Sequence, residues 1–247
     1  MASKSTRLDR FISAATGIKR SDIRLVLAQN RIRLDGDIAR DCDQRINFFS
    51  RIELDGQLLQ ANIPRYLMMN KPTGVVSACR DDRHRTVIDL IDSGDSHQLH
   101  LPGRLDFNST GLLLLTNDGD WSRRLSLPSE KVAKDYRVTL ADPLHTDYID
   151  AFAEGMYFAY ENITTLPAQL RILSSHEAAV TLVEGRYHQI KRMFGRFQNE
   201  VVGLHRIAIG GLVLDAQLTP GEYRDLTAEE LVAIWLPRKA LLESDHD

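Results

Sequence analysis

The chain has 247 residues, 43% hydrophobic and 26% charged, with a formal net charge of −3. That length and apolar content support a real core in one or two domains, and the balanced charge excludes a global basic excess, so any basic surface must be local. Two cysteines, Cys42 and Cys79, lie far apart with no Cys-x-x-Cys spacing, which argues for a reducing compartment and against a zinc site. The N-terminal residues enter an amphipathic pattern without a signal-peptide block, and no apolar run approaches membrane-spanning length. A cytoplasmic protein with no membrane partner is expected.

Leu8, Phe11, Ile12 and Ala15 fall at helical spacing, with Ser5 or Thr6 to cap the start and Gly17 the end. A second helix follows, with Ser21 as N-cap, Ile23, Val26 and Leu27 inward, and Asn30 as a stop. Arg31 to Gly36 alternates and turns at Asp-Gly, a hairpin signal. Residues 48–59 give further strand material around Asp55-Gly56. Over residues 1–60 there are eleven Lys and Arg against eight Asp and Glu. Arg7, Arg20, Arg24, Arg31 and Arg33 form either a solvated face or a basic RNA-contacting one.

Residues 60–64 read as a linker, and Tyr66 to Met69 as a buried strand closed by Asn70-Lys71-Pro72-Thr73-Gly74. Residues 80–100 read as a polar surface excursion. Gly103-Arg104-Leu105-Asp106 then precedes the apolar run Leu112 to Leu115, a short buried strand bounded by Gly111 and by Asn117-Asp118-Gly119. By composition Asp106 is either a turn former or a carboxylate held at the mouth of a buried element.

Asp120 can cap a helix that Pro128 stops. Lys134 to Leu140 alternates as a strand, with Tyr136, Val138 and Leu140 on one face, where Tyr136 reads by period as a core tyrosine. A weak helix at 147–158 and two strands at 168–173 and 178–183 follow. In Gly185-Arg186-Tyr187-His188-Gln189-Ile190-Lys191-Arg192-Met193-Phe194, one apolar face opposes a basic stripe of His188, Arg192 and Arg196, with Lys191 alongside. Strands around 204–214 lead to a last helix in which Thr227 and Glu230 make a capping box. The expected units are 1–60 and 65–237, with a flexible tail at 238–247.

Gly-Arg-Leu-Asp, followed by Ser-Thr-Gly-Leu-Leu-Leu-Leu-Thr-Asn-Asp-Gly, resembles the signature of the RsuA/RluB/RluE/RluF family of RNA pseudouridine synthases. Asn-Lys-Pro-x-Gly, Lys-x-Tyr and Gly-Arg-Tyr-His-Gln-Ile-Lys-Arg-Met-Phe match further motifs of that family. The first 60 residues resemble an S4 RNA-binding domain, which usually stands at the N-terminus of the same family. The resemblance implies an α+β fold, with the S4-like unit followed by a catalytic domain on a mixed, largely antiparallel sheet.

It also implies that Asp106 is the catalytic carboxylate, paired with Lys191, while Tyr136 stacks on the target base and is a candidate for the final proton removal. Arg104 would fill the stack vacated by a flipped uridine. Lys71, Arg186, His188 and Arg192, with the basic residues of the first unit, would contact RNA. Neither cofactor nor metal is implied. The wording of the third motif is most similar to the branch acting on small-subunit (16S) rRNA, so the implied partner is 16S rRNA or a partly assembled small subunit, met by a monomer. An enzyme acting on 23S rRNA or tRNA, and a non-catalytic S4-type RNA-binding protein, are the alternatives.

Overall fold

A computed structural model describes residues 5–237, so the tail expected at 238–247 lies outside the described residues. The chain divides into two compact units, one up to Arg65 together with Asp118–Asp120 and one comprising the remainder.

In the first unit β1 (Thr6–Arg7) leads into α1 (Leu8–Thr16) and α2 (Arg20–Ala28). They are followed by β2 (Ile32–Leu34), β3 (Asp37–Ile38), β4 (Arg45–Ile46), β5 (Ile52–Leu54) and β6 (Gln57–Gln60). Four strands form an antiparallel sheet in the order β3-β2-β5-β6. The inward stripes of both helices, among them Leu8, Ile12, Ile23 and Leu27, pack on Ile32, Leu34, Ile52 and Leu54. Both hairpins turn on Asp-Gly pairs, and all four turn residues have positive φ (Asp35 51°, Gly36 94°, Asp55 53°, Gly56 80°), as a type I′ turn requires.

The expected helix starts are corrected. Thr6 is committed to β1, paired with Ile46, and the N-cap position of α1 falls to Arg7 without a side-chain cap. Ser21 lies inside α2, whose N-cap is Lys19. Gly17 does end α1, at φ 77°, and donates its N–H to the Ser13 carbonyl.

Asp9 is buried, and its carboxylate accepts hydrogen bonds from Arg7 at 3.1 and 2.9 Å and from Arg20 at 3.0 Å. Arg7 also reaches Asp43. The bonds from Arg7 above all hold Asp9 well below the usual carboxylate range, against the opposing effect of burial. Asp9→Asn is therefore expected to cost about 2 kcal/mol at neutral pH. A depressed carboxylate stabilises the fold above its unfolded pKa, and that contribution is lost as pH falls through the folded value. The wild-type advantage in denaturant midpoint should shrink on acidification, and a pH-independent advantage would contradict the assignment.

The second unit contains β7 (Tyr66–Lys71), β8 (Thr110–Thr116), all but the first two residues of α3 (Gly119–Ser126), β9 (Lys134–Leu140) and α4 (Asp147–Glu154). It continues with β10 (Tyr157–Phe158), β11 (Ile163–Thr164), β12 (Gln169–Ser174), β13 (Glu177–Leu182) and α5 (Gln189–Gly195). β14 (Val201–Ile209), β15 (Leu212–Val213), β16 (Tyr223–Asp225) and α6 (Ala228–Ala233) complete it. One sheet runs β12-β13-β9-β14-β8-β7-β16, with β15 hairpinned on β14. The architecture is α+β, and β8–β14 is the parallel strand pair among the described residues.

β8 is covered on both faces. Leu113 and Leu115 join Val138, Phe152, Met193 and Phe194, while Leu112 and Leu114 join Met68, Ile209, Leu212 and Ile234. Burial on both sides is why this strand reads as an unbroken apolar run instead of alternating. Residues 80–100 are better anchored than their polarity suggests, because Val87, Ile91 and Leu99 enter the core. At the start of α3 the Asp118 carboxylate accepts the Asp120 N–H at 3.0 Å, so Asp118 takes the part expected of Asp120. Thr227 and Glu230 make both bonds of the capping box on α6.

Candidate active site

Asp106 stands in the loop that feeds β8, and that loop is held from inside. Lys71, the last residue of β7, is fully buried. Its ammonium donates to the carbonyls of Pro72 (3.0 Å), Asp106 (3.1 Å), Phe107 (3.4 Å) and Ser109 (2.9 Å). Ser77 clips the same loop, its Oγ donating to the Leu105 carbonyl at 2.7 Å and accepting the Leu105 N–H at 3.1 Å. The backbone on both sides of Asp106 is thus fixed before its carboxylate meets anything.

Lys71 was expected at an RNA-contacting surface, and this is corrected. Its amine lies beneath the loop, where four carbonyls compensate the loss of water. Burial pushes Lys71 down to about 8, with the charge of Asp106 opposing the shift.

The Asp106 carboxylate, 29% exposed, faces the N-terminus of α5. Lys191 Nζ lies 3.8 Å from Oδ2 and His188 Nε2 lies 3.4 Å from Oδ1. The lysine contact is Coulombic and too long for a hydrogen bond. Its single charged head makes no two-point fork, as a guanidinium would. His188, expected to contact RNA, is instead a second partner of Asp106. It occupies the N-cap of α5 at φ 50°, and the Tyr187 ring stacks on it with centroids 3.9 Å apart. A left-handed backbone at a non-glycine residue costs energy that the surrounding structure must meet.

Pro102, Arg104, Asp106, Tyr136, His188 and Lys191 line a common cleft. Tyr136 is buried on β9 as its period required, yet one side of it still borders this cleft. Arg104 is exposed at the mouth. Arg186 also lines the cleft, with its Nε on Glu184 at 2.9 Å.

Arg192 is not brought to the cleft. Glu161 takes its guanidinium in two bonds of 2.5 and 2.6 Å, and it lies over Phe158. In the first unit Arg31 is similarly engaged by Asp55, and Arg7 and Arg20 by Asp9, whereas Arg24 and Arg33 are exposed and meet no carboxylate among the described residues. Two cleft cations were not foreseen. Lys134 and Arg206 sit in strands whose alternation identifies a face but not a distant cavity.

The alkaline side of the reaction should register these lysines. Burial also pushes Lys134 down to about 8, helped by the charge of Arg206. A pH–rate profile is expected to fall as pH rises through about 8, more steeply than one proton would give, as Lys71 and Lys134 both lose their charge. A profile flat across that value would contradict the expectation.

Among the described residues this sheet-borne cleft gathers one carboxylate fixed by its loop, a lysine and a histidine facing it, and an aromatic wall. The sequence profile of the RNA pseudouridylate synthase family matches residues 65–195, and the chain belongs to that family.

More particularly, it is similar to ribosomal small subunit pseudouridine synthase A of Pseudomonas aeruginosa, 49% identical over 92% of this chain and 100% of the relative. The Escherichia coli K12 protein of the same name is 42% identical, over 92% of this chain and 99% of the relative. A solved structure described as a pseudouridylate synthase superposes with a TM-score of 0.68 at 41% identity, covering 93% of this chain and all of that one.

Proposed function

We propose that the protein converts one uridine of small-subunit (16S) rRNA to pseudouridine, with Asp106 as the catalytic carboxylate. The observation that carries this reading is the convergence of Lys191 and His188 on Asp106 at the mouth of a cleft walled by Tyr136. Relatives named for the small ribosomal subunit, matched over essentially their whole length, support the choice of RNA.

The reaction breaks the C1′–N1 bond, turns the freed uracil and rejoins it through C5. Asp106 opens it as a carboxylate, by attack on C1′ or by taking the 2′ hydrogen on a glycal route, with Lys191 Nζ 3.8 Å away. The target base is inaccessible in a stacked helix, so it must be flipped out, at a cost of a few kcal/mol. Tyr136 receives it and Arg104 occupies the vacated stack. Neither redox change nor net hydrolysis occurs, so the chemistry calls for no cofactor.

The first unit acts as an S4-type module, with the exposed Arg24 and Arg33 meeting phosphates, and RNA shape carries most of the selectivity. The protein works as a cytoplasmic monomer on 16S rRNA or a partly assembled subunit. No helix among the described residues is long and apolar enough to cross a membrane.

A pseudouridine map of rRNA from cells lacking the protein tests the reading. One 16S site should vanish and return with the wild-type gene. A site lost only from 23S rRNA or tRNA would overturn the substrate.

A further inference from the structure

No step above is assigned to Lys134 or Arg206, yet both line the cleft. Arg206, in β14, is 2% exposed and spends one of its five donors, Nε, on the Leu112 carbonyl at 2.7 Å. Lys134, the first residue of β9, gives one bond to the Val132 carbonyl at 3.0 Å. Among the described residues neither meets a carboxylate. Two cations drawn from water beside one another, without a counter-ion, are a costly arrangement. It becomes favourable when a ligand brings negative charge between them.

The strand register says which part of the ligand that is. Arg206 pairs with Tyr136 of β9 on one side and with Gly111 of β8 on the other. Lys134 precedes Tyr136 by two residues and so lies on the same side of β9. The Arg206 guanidinium carbon is 6.0 Å from the Tyr136 ring centroid. The cations therefore flank the ring on which the flipped base would lie. Asp106, more exposed at the mouth, is left for the sugar.

We propose that Lys134 and Arg206 hold the carbonyl oxygens of the target uracil and stabilise the anion formed when the C1′–N1 bond opens. This inference rests on the pseudouridine synthase reading. The electron pair of the C1′–N1 bond leaves with the ring and spreads over N1 and the two carbonyl oxygens. The anion turns while held by the cations, and a pair at C5 forms the new bond to C1′. The C5 proton then leaves and N1 gains one, so nothing is consumed. A backbone phosphate oxygen is another source of the same anionic chemistry, and the test separates the two.

Single-turnover conversion and RNA affinity would be measured on a 16S rRNA transcript for wild type, Lys134→Gln, Lys134→Arg and Arg206→Gln, with thermal midpoints as a fold check. Removing one preorganised donor to a developing anion costs about 10²–10³-fold in rate. Lys134→Gln should show a loss of that order at saturating enzyme, with unchanged RNA affinity and salt dependence, and Lys134→Arg should recover much of it. If Arg206→Gln fails to fold, the Lys134 pair carries the result.

Weaker RNA binding, a salt slope smaller by about one and an unchanged saturated rate would place a phosphate there and overturn the proposal. An unchanged rate and affinity would overturn it too. Wild type that binds but never converts uridine would sink the functional reading and this inference together; active wild type with an equally fast Lys134→Gln would sink the inference alone.

Discussion

Asp106→Asn is expected to abolish isomerisation, with a loss of about 10⁴-fold or more in single-turnover rate. The amide keeps the size of the carboxylate but can neither attack a sugar carbon nor accept its proton. RNA affinity should stay within a few-fold, because this side chain is not a phosphate contact. Stability should change by less than about 1 kcal/mol, since the contacts of Asp106 to His188 and Lys191 are long and partly exposed. The reaction releases the hydrogen on C5 of the target, so release of tritium from C5-labelled rRNA reports it directly. A variant within tenfold of wild type would remove Asp106 from the chemistry.

Lys71→Met should have the second largest effect, by a different route. The change keeps the length of the apolar stem but deletes the ammonium that four loop carbonyls share. Those carbonyls would be left under a fully buried side chain with no donor, a loss of about 3–5 kcal/mol by analogy with breaking a buried charged network. The loop should relax, and Asp106 would no longer be presented to Lys191 and His188. Urea unfolding monitored by fluorescence gives the stability and tritium release the activity. A Met variant with wild-type stability and rate would show that the carbonyls find water instead.

The elements that were legible in the sequence are those whose physics is local. The β8 run, the β9 alternation, the Asp-Gly hairpins and the Thr227–Glu230 capping box each depend on residues within a few positions. What was not legible depends on partners far away in the chain. Thr6 looks like a helix cap until β4, forty residues later, claims it for a strand pair. Lys71 looks like an exposed turn lysine because the carbonyls that bury it arrive 35 to 38 residues on. Arg192 belongs to a plausible basic stripe, but Glu161 neutralises it from 31 residues upstream. The motifs located Asp106, Tyr136 and Lys191, and the fold places all three on one cleft. The motifs gave no reason to add Arg206, whose neighbours Gly111 and Tyr136 are adjacent only through strand pairing.

The parallel pairing of β8 and β14 carries one more consequence. Parallel neighbours cannot be joined by a tight turn, and β9 to β13 and α5 all intervene in the chain between these two. The contact is tight: at Gly111, with φ +99°, a Cβ atom would fall 2.3 Å from the Arg206 carbonyl oxygen. Such long-range closure is slow relative to helix or hairpin formation. The loop of Asp106, the wall at Tyr136 and the basic end of α5 therefore become a single cleft only when β14 has docked. A chain still emerging or half folded, with β14 undocked, has no such cleft. Turnover in this protein certifies its own completion.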